Sequence, residues 1–302
     1  MLDGQVAIVT GAGRGLGRIE ALQLASMGAR VIVNDLGVAA DGSGVDEGPT
    51  RQVVDEIVAA GGEAAAHYGD VADWEQAQGL IDMAVETFGG LHILVNNAGF
   101  LRDRMIFNMA EEEWDGVIRV HLKGHFSTTR WATAYWRGRS KEEGGPVYGR
   151  IINTASEAFL FGSAGQPNYA AAKAGIAALT MATAQACQRY GVTANAICPR
   201  ARTRMTEDTG GGMFNKPEEG FDMFAPENVA PLVGYLASPA AERVSGQVFI
   251  IYGKRASVLA APQIAQSFDA EGAWTVDGLV DALGPYFEKR QPIRDGFAMP
   301  AQ

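Results

Sequence analysis

The chain has 302 residues, 47% of them hydrophobic and 20% charged, a balance that suits a globular protein with one large core or two modest ones. Its 25 basic and 35 acidic side chains give a net charge of −10, which opposes nucleic acid and anionic membranes as partners. Two cysteines, Cys187 and Cys198, imply no disulfide framework and suit a reducing compartment.

The opening MLDGQVAIVTG lacks the basic-then-apolar pattern of a signal peptide, no apolar run is long enough for a bilayer, and a cytoplasmic setting is expected. The run VAIVT (6–10) predicts a first strand and leads into TGAGRGLG (10–17), after which a helix is expected over 16–27. A second strand, RVIVN (30–34), ends beside Asp35 and is followed by a polar, Gly-rich loop over 36–49. Helices are expected over 50–60 and 74–88, then a strand at HILVN (92–96) and a long helix over 112–136. RIINT (150–154) predicts a strand, 168–189 a helix, and VTANAI (192–197) a strand; residues 205–225, with a triple Gly, read as a mobile lid. QVFII (247–251) reads as the last strand, and no sheet pattern continues from Lys254.

Near-continuous apolar strands alternating with helices predict an α/β fold, a Rossmann-like doubly wound parallel sheet with helices on both faces. No linker divides the series, so residues 1–253 read as one domain and 254–302 as a C-terminal extension.

The glycine stretch follows a strand and opens a helix, where Gly11, Gly15 and Gly17 let the backbone approach a pyrophosphate favoured by the helix N-terminus. Asp35 closes the next strand, the place from which a carboxylate accepts hydrogen bonds from ribose hydroxyls and repels a 2′-phosphate. Arg14, inside the glycine loop, argues the other way; the carboxylate acts directly at the ribose, so NAD is favoured over NADP. Tyr169 and Lys173 in NYAAAKAG lie one turn apart on one helix face, as do many ordinary surface pairs. No metal-ligand set is assigned.

In order and spacing, TGAGRGLG (10–17), GDV (69–71), NNAG (96–99), IINTAS (151–156), YAAAK (169–173) and NAICP (195–199) resemble the short-chain dehydrogenase/reductase family over about residues 4–253. The resemblance implies a hydride-transferring oxidoreductase in which Ser156, Tyr169 and Lys173 are catalytic. Lys173, together with a positively charged nicotinamide, would lower the Tyr169 pKa, and Ser156 would hydrogen-bond the reacting oxygen. It implies cofactor contacts from Gly11, Arg14, Gly15, Leu16, Gly17, Asp35, Asp70, Val71, Asn97, Ala98, Gly99, Tyr169, Lys173, Pro199 and Thr203.

Two departures stand out. His121, in RVHLKG (119–124), takes the place of a relay Asn and is carried as a catalytic candidate beside a structural reading. PRART (199–203) replaces the usual Pro-Gly, which weakens the carry-over to Pro199 and Thr203.

VNDLG (33–37), LRDR (101–104), RVHLKG, TRMT (203–206) and PENVAPLVGYLAS (226–238) resemble the (3R)-hydroxyacyl-CoA dehydrogenase branch. That branch includes the dehydrogenase part of the peroxisomal type-2 multifunctional enzyme, also described as a 17β-hydroxysteroid dehydrogenase. No hydratase or sterol-carrier segment follows, so a stand-alone dehydrogenase is expected, and the ending PAQ is no peroxisomal address. The expected substrate is a 3-hydroxyacyl-CoA. Alternatives are an NADPH-dependent 3-oxoacyl carrier-protein reductase, a dehydrogenase of hydroxysteroids or simple secondary alcohols, and a non-enzymatic dinucleotide sensor. Arg200, Arg202 and Arg204 are read either as holding coenzyme A phosphates or as pairing with neighbours such as Glu207 and Asp208, or as touching the cofactor pyrophosphate. A homodimer or homotetramer is expected, paired through the helices at 112–136 and 168–189.

Overall fold

The computed structural model describes residues 1–37, 44, 46–203 and 214–290. Strands β1 (Val6–Thr10), β2 (Arg30–Asn34), β3 (Ala64–His67), β4 (Ile93–Asn96), β5 (Gly149–Thr154), β6 (Val192–Pro199), β7 (Val248–Tyr252) and β8 (Arg255–Val258) form one sheet in the order β3-β2-β1-β4-β5-β6-β7-β8. The first seven are parallel and β8 returns antiparallel to β7. The helices are α1 (Gly15–Ser26), α2 (Gly48–Ala59), α3 (Trp74–Phe88), α4 (Glu111–Ile118), α5 (Gly124–Glu143), α6 (Ala158–Phe161), α7 (Pro167–Cys187), α8 (Ala230–Ala237) and α9 (Val276–Glu288).

Alternate residues of each strand face opposite sides of the sheet, and both sides are covered. Val9, Val31, Val33, Ile93 and Val95 pack with Leu24 of α1, Ile57 of α2 and Val233 of α8. Val6, Ile8, Ile32, Leu94 and Ile151 pack on the other side with Leu80 of α3 and Trp136 of α5. The order reverses between β1 and β4, so a crevice opens at the carboxyl ends of these strands.

The doubly wound sheet is the expected one, with three local corrections. β3, of sequence AAAH, was not expected as a strand; its alanines favour helix, and pairing with Val31–Asn34 of β2 overrides that preference. The helix expected over 112–136 is three pieces, because a π-helical turn (Arg119–Lys123) separates α4 from α5. Beyond Lys254 the sheet continues: β8 pairs Phe249 with Val258 and Tyr252 with Arg255. The proposed lid at 205–225 lies partly outside the described residues, since 204–213 are not among them. Among the described residues no helix is long and apolar enough to cross a membrane.

One core residue departs from the apolar rule. Glu20 of α1 is 0% exposed, and neither carboxylate oxygen has a hydrogen-bond partner among the described residues. Burial alone pushes its pKa up from 4.5 to about 8. A carboxyl that holds its proton more tightly when folded contributes its full stability below pH 4.5 and loses it as the pH rises to about 8. Thermal unfolding of wild type and Glu20→Gln should therefore diverge with pH. The variant should gain about 1.4 kcal/mol on wild type for each pH unit in that window. Parallel curves from pH 5 to 9 would show that the carboxyl reaches water or a partner.

Candidate active site

The crevice holds a cavity of about 820 Å³. Every residue expected at the cofactor or catalytic site lines it except Gly17, which packs behind the glycine loop. Gly11 has φ +62°, and a Cβ there would lie 2.7 Å from the Ala98 Cα; on Gly17 it would lie 2.3 Å from the Gly11 carbonyl oxygen. A side chain at either position would break the contact between the loop and the end of β4. Asn97 sews the same two ends together: its Nδ2 donates to the carbonyls of Thr10 and Gly11, each at 3.1 Å, while the Ala98 amide donates to Thr10 Oγ1 at 3.1 Å.

Helix α1 starts in this loop without a side-chain cap from Arg14 and without an acidic residue in its first turn. Its leading amides are thus available to an anion, and the helix dipole adds to their attraction. These residues fit a dinucleotide pyrophosphate.

Asp35 accepts from the Gly13 amide at 2.8 Å and from the Gly37 amide at 2.7 Å, which fixes the carboxylate at the lip of the cavity. The Gly13 partnership was not read from the sequence; a glycine 22 residues before an acid carries no pairing signal. Arg14 is committed elsewhere, with Nη2 2.8 Å from Asp46 Oδ2 in the loop after β2. On the other wall, Asp70 accepts from Arg119 at 2.6 Å, and Val71 abuts Gly124, where a Cβ would meet its Cγ2 at 2.8 Å. Leu16, Gly99, Pro199 and Thr203 complete the lining.

Ser156, two residues beyond β5, and Tyr169 and Lys173 of α7 meet at the inner end. Lys173 Nζ donates to the Thr154 carbonyl at 2.5 Å and lies 5.2 Å from the Tyr169 ring centre. His121, on the π-helical turn, stands edge-on to the Tyr169 ring with centres 5.3 Å apart. Its Nε2 faces the Phe100 amide and carbonyl at 3.1 and 2.8 Å, and Nδ1 is buried with no partner among the described residues. Burial, then the Lys173 charge, holds His121 well below the usual histidine range, so the ring is neutral at pH 7.

The expected sign of the tyrosine shift is reversed in the chain alone. Burial pushes the Tyr169 phenol up to about 12, opposed by its hydrogen bond with Ser156, and brings Lys173 down to about 7. Desolvation penalises phenolate and ammonium alike, and it is the largest cause of both shifts. Asp103 adds to the effect. Its charge raises Tyr169, while one oxygen accepts from Gln166 at 2.8 Å and the other is buried without a partner among the described residues. LRDR was read only as a family motif; the proximity of Asp103 to Tyr169 is created by the turn after β4 and was not legible.

Two arginines of the cluster meet carboxylates, the kind of pairing that was one of the expected readings. Arg200 forms a two-pronged pair with Glu157, its Nη2 2.7 Å from Oε1, and Arg202 pairs with Asp222. Glu207 and Asp208 lie with Arg204 outside the described residues. The partners come from the segment after Ser156 and from residue 222, so charge pairing was foreseeable but the partner was not.

The short chain dehydrogenase family model matches residues 5–211. A Mycobacterium tuberculosis protein named hydroxyacyl-CoA dehydrogenase ChsB1 is 52% identical over 297 residues, covering 96% of this chain and 91% of that protein. The Drosophila melanogaster peroxisomal multifunctional enzyme type 2 is 44% identical over 240 residues, or 80% of this chain, which spans only 38% of that longer protein. A crystal structure of a short chain dehydrogenase from Mycobacterium avium is 51% identical, covers 99% of both chains and superposes with a TM-score of 0.86. With the glycine loop, the crevice and these matches in hand, the chain belongs to the short-chain dehydrogenase family of oxidoreductases, which use a nicotinamide dinucleotide.

Proposed function

We propose that this enzyme oxidises the 3-hydroxyl of an acyl-CoA to the ketone with NAD as hydride acceptor. The observation that carries the reaction class is the meeting of Ser156, Tyr169 and Lys173 at the inner end of a cavity whose outer end is the glycine loop and Asp35. The thioester rests on resemblance to the relative named hydroxyacyl-CoA dehydrogenase, which the chain matches over 91% of its length.

NAD is supported by the fixed carboxylate of Asp35 and by the engagement of Arg14 with Asp46, which draws that cation away from a 2′-phosphate. The same pairing counts against the NADPH-dependent reductase reading. Two free cysteines accord with a reducing cytoplasmic setting. Assembly is proposed as a homodimer or homotetramer in which α7 presents its exposed alanines, Ala171, Ala174, Ala178 and Ala182, for close helix approach.

Gly11, Gly15 and the amides opening α1 would hold the pyrophosphate, Asp35 the adenosine ribose, and Lys173 the nicotinamide ribose. The bound nicotinamide supplies the hydride acceptor. Ser156 positions the substrate hydroxyl, and the Tyr169 phenol, protonated in the chain alone, would pass its own proton toward the neutral His121 as it takes the substrate's while the C–H bond breaks. Lys173, tied to the Thr154 carbonyl, keeps a positive or proton-donating group one turn behind the phenol. His121 stands edge-on to the Tyr169 ring and would extend the proton path as a neutral acceptor.

Tyr169→Phe should lower kcat by ~10²–10⁴-fold with NAD affinity within a few-fold of wild type. Stopped-flow turnover and cofactor fluorescence read the two separately, and activity close to wild type would remove Tyr169 from the chemistry. Asp35→Ala should weaken NAD by about 1.5–3 kcal/mol and narrow the preference over NADP. A wild-type enzyme that already prefers NADP would overturn the role given to Asp35. His121→Asn should keep most of the rate and His121→Leu should lose more; equal, near-wild-type rates would make His121 a packing residue.

A further inference from the structure

PRART (199–203), which stands where the family usually has Pro-Gly, places an arginine against a buried acid. Arg200 meets both oxygens of Glu157: Nε donates to one, and Nη2 to the other at 2.7 Å. The two side chains are 12% and 4% exposed, so little solvent reaches the pair to screen it. Taking two charges out of water is costly, and a two-pronged fork is the geometry that recovers most of that cost. The arginine is anchored independently. Its guanidinium lies 4.7 Å over the Tyr252 ring of β7, and its backbone amide donates to the Ile251 carbonyl at 3.0 Å.

The pair stands where two walls of the cavity meet. Strands β5 and β6 keep register up to Thr154 and Ile197, and the Ala155 amide donates to the Ile197 carbonyl at 2.8 Å. Beyond that rung both chains line the cavity, one through Ser156 and the other through Pro199, Arg200 and Ala201. Glu157 directly follows Ser156, and Arg200 directly follows Pro199, so the ion pair bridges the two segments next to the serine. Glu157 is also the pivot of the turn that carries Ser156. Its carbonyl accepts from the Leu160 amide at 2.9 Å, and the Ala158 amide donates to Ser156 Oγ at 3.2 Å.

The Glu157 carboxylate is close enough to the reacting groups for its charge to matter. The Cys198 thiol is pushed up to about 12 by burial first and by Glu157 second, and Cys198 in turn acts on both Tyr169 and Lys173. A bare carboxylate here would favour phenol over phenolate and ammonium over amine. Arg200 supplies the compensating charge.

We propose that Glu157 and Arg200 are positioning residues for hydride transfer: their fork clamps the turn that carries Ser156 to the segment after β6, and Arg200 cancels the carboxylate charge beside Tyr169 and Lys173. Apolar contacts could hold the two segments together but would allow small slips, whereas a fork fixes distance and angle at once. The proposal rests on the reading of Ser156 as the group that holds the reacting oxygen.

The test compares four full-length variants with wild type, using NAD and a 3-hydroxyacyl-CoA: Arg200→Lys, Arg200→Gln, the double variant Glu157→Gln with Arg200→Gln, and Ser156→Ala. Turnover is followed against pH, and melting curves correct each rate for the folded fraction. Arg200→Lys keeps the charge and loses the fork, so its kcat should fall about ten- to hundredfold with KM within about threefold and the pH profile unmoved. Arg200→Gln should also shift the rise of kcat with pH to higher pH, and adding Glu157→Gln should shift it back while kcat stays low. Wild-type kcat in Arg200→Lys, with only the melting temperature lowered, would make the pair a stability element and overturn the proposal. An unshifted profile in Arg200→Gln, or full recovery of kcat in the double variant, would overturn it as well; if Arg200→Gln does not fold, Arg200→Lys decides. Near-wild-type kcat in Ser156→Ala would take down the reading of the site and the proposal with it, whereas an inactive Ser156→Ala beside a fully active Arg200→Lys overturns the proposal alone.

Discussion

The bond from Lys173 Nζ to the Thr154 carbonyl is the tie on which the site's geometry depends. It joins α7 to the last residue of β5, and Ser156 follows two residues later, so one contact sets the separation of the serine from the helix that carries Tyr169. Lys173 is 2% exposed, and a buried ammonium is tolerated only when oxygen atoms face it. A lysine that has lost much of its hydration gives up its proton readily, and burial brings it to about 7. The same constraint that positions the group therefore also sets its chemistry.

Around that tie the interior is polar but closed. Asn96 of β4 donates to Asn153 Oδ1 at 2.9 Å and accepts from Thr128 Oγ1 at 2.7 Å; Asn153 donates to Thr180 Oγ1 at 2.8 Å. Two strands and two helices are thereby locked in one register by side chains that are essentially unexposed. Apolar packing of the same shape would tolerate small slips, whereas this network loses paired groups if α5 or α7 moves. Its cost is justified by position, since α5 and the π-helical turn carry His121 to the back of Tyr169.

What the sequence made legible follows from which forces are local. Strands β1, β2, β4 and β5 were readable because burial on both faces demands unbroken β-branched runs. Ala64–His67 was not, because its strand state is imposed by β2 and its residues favour helix. The π-helical turn leaves the 3.6-residue pattern almost unchanged on either side, so 112–136 looked continuous. Glu20 reads as a solvated helix charge and is instead sealed, and the Tyr169–Lys173 spacing showed the neighbours without the desolvation that dominates both. The residues that line the cavity could be named from the chain; their protonation could not, because it depends on long-range burial.

A chain of net charge −10 that holds an anionic dinucleotide needs positive potential at one place. The cations near the site are largely spoken for: Arg14 faces Asp46, Arg119 faces Asp70, Arg200 faces Glu157 and Arg202 faces Asp222. Paired arginines contribute position and little net field. A further source is fixed backbone, namely the amides that open α1, free of side-chain caps and of acids in the first turn. Such dipoles do not reorganise and cannot be neutralised by a mobile counter-charge, and they act at the pyrophosphate alone. Asp35 lies beside this loop, accepting from the Gly13 amide, and a carboxylate there does not quench backbone dipoles as it would a mobile cation.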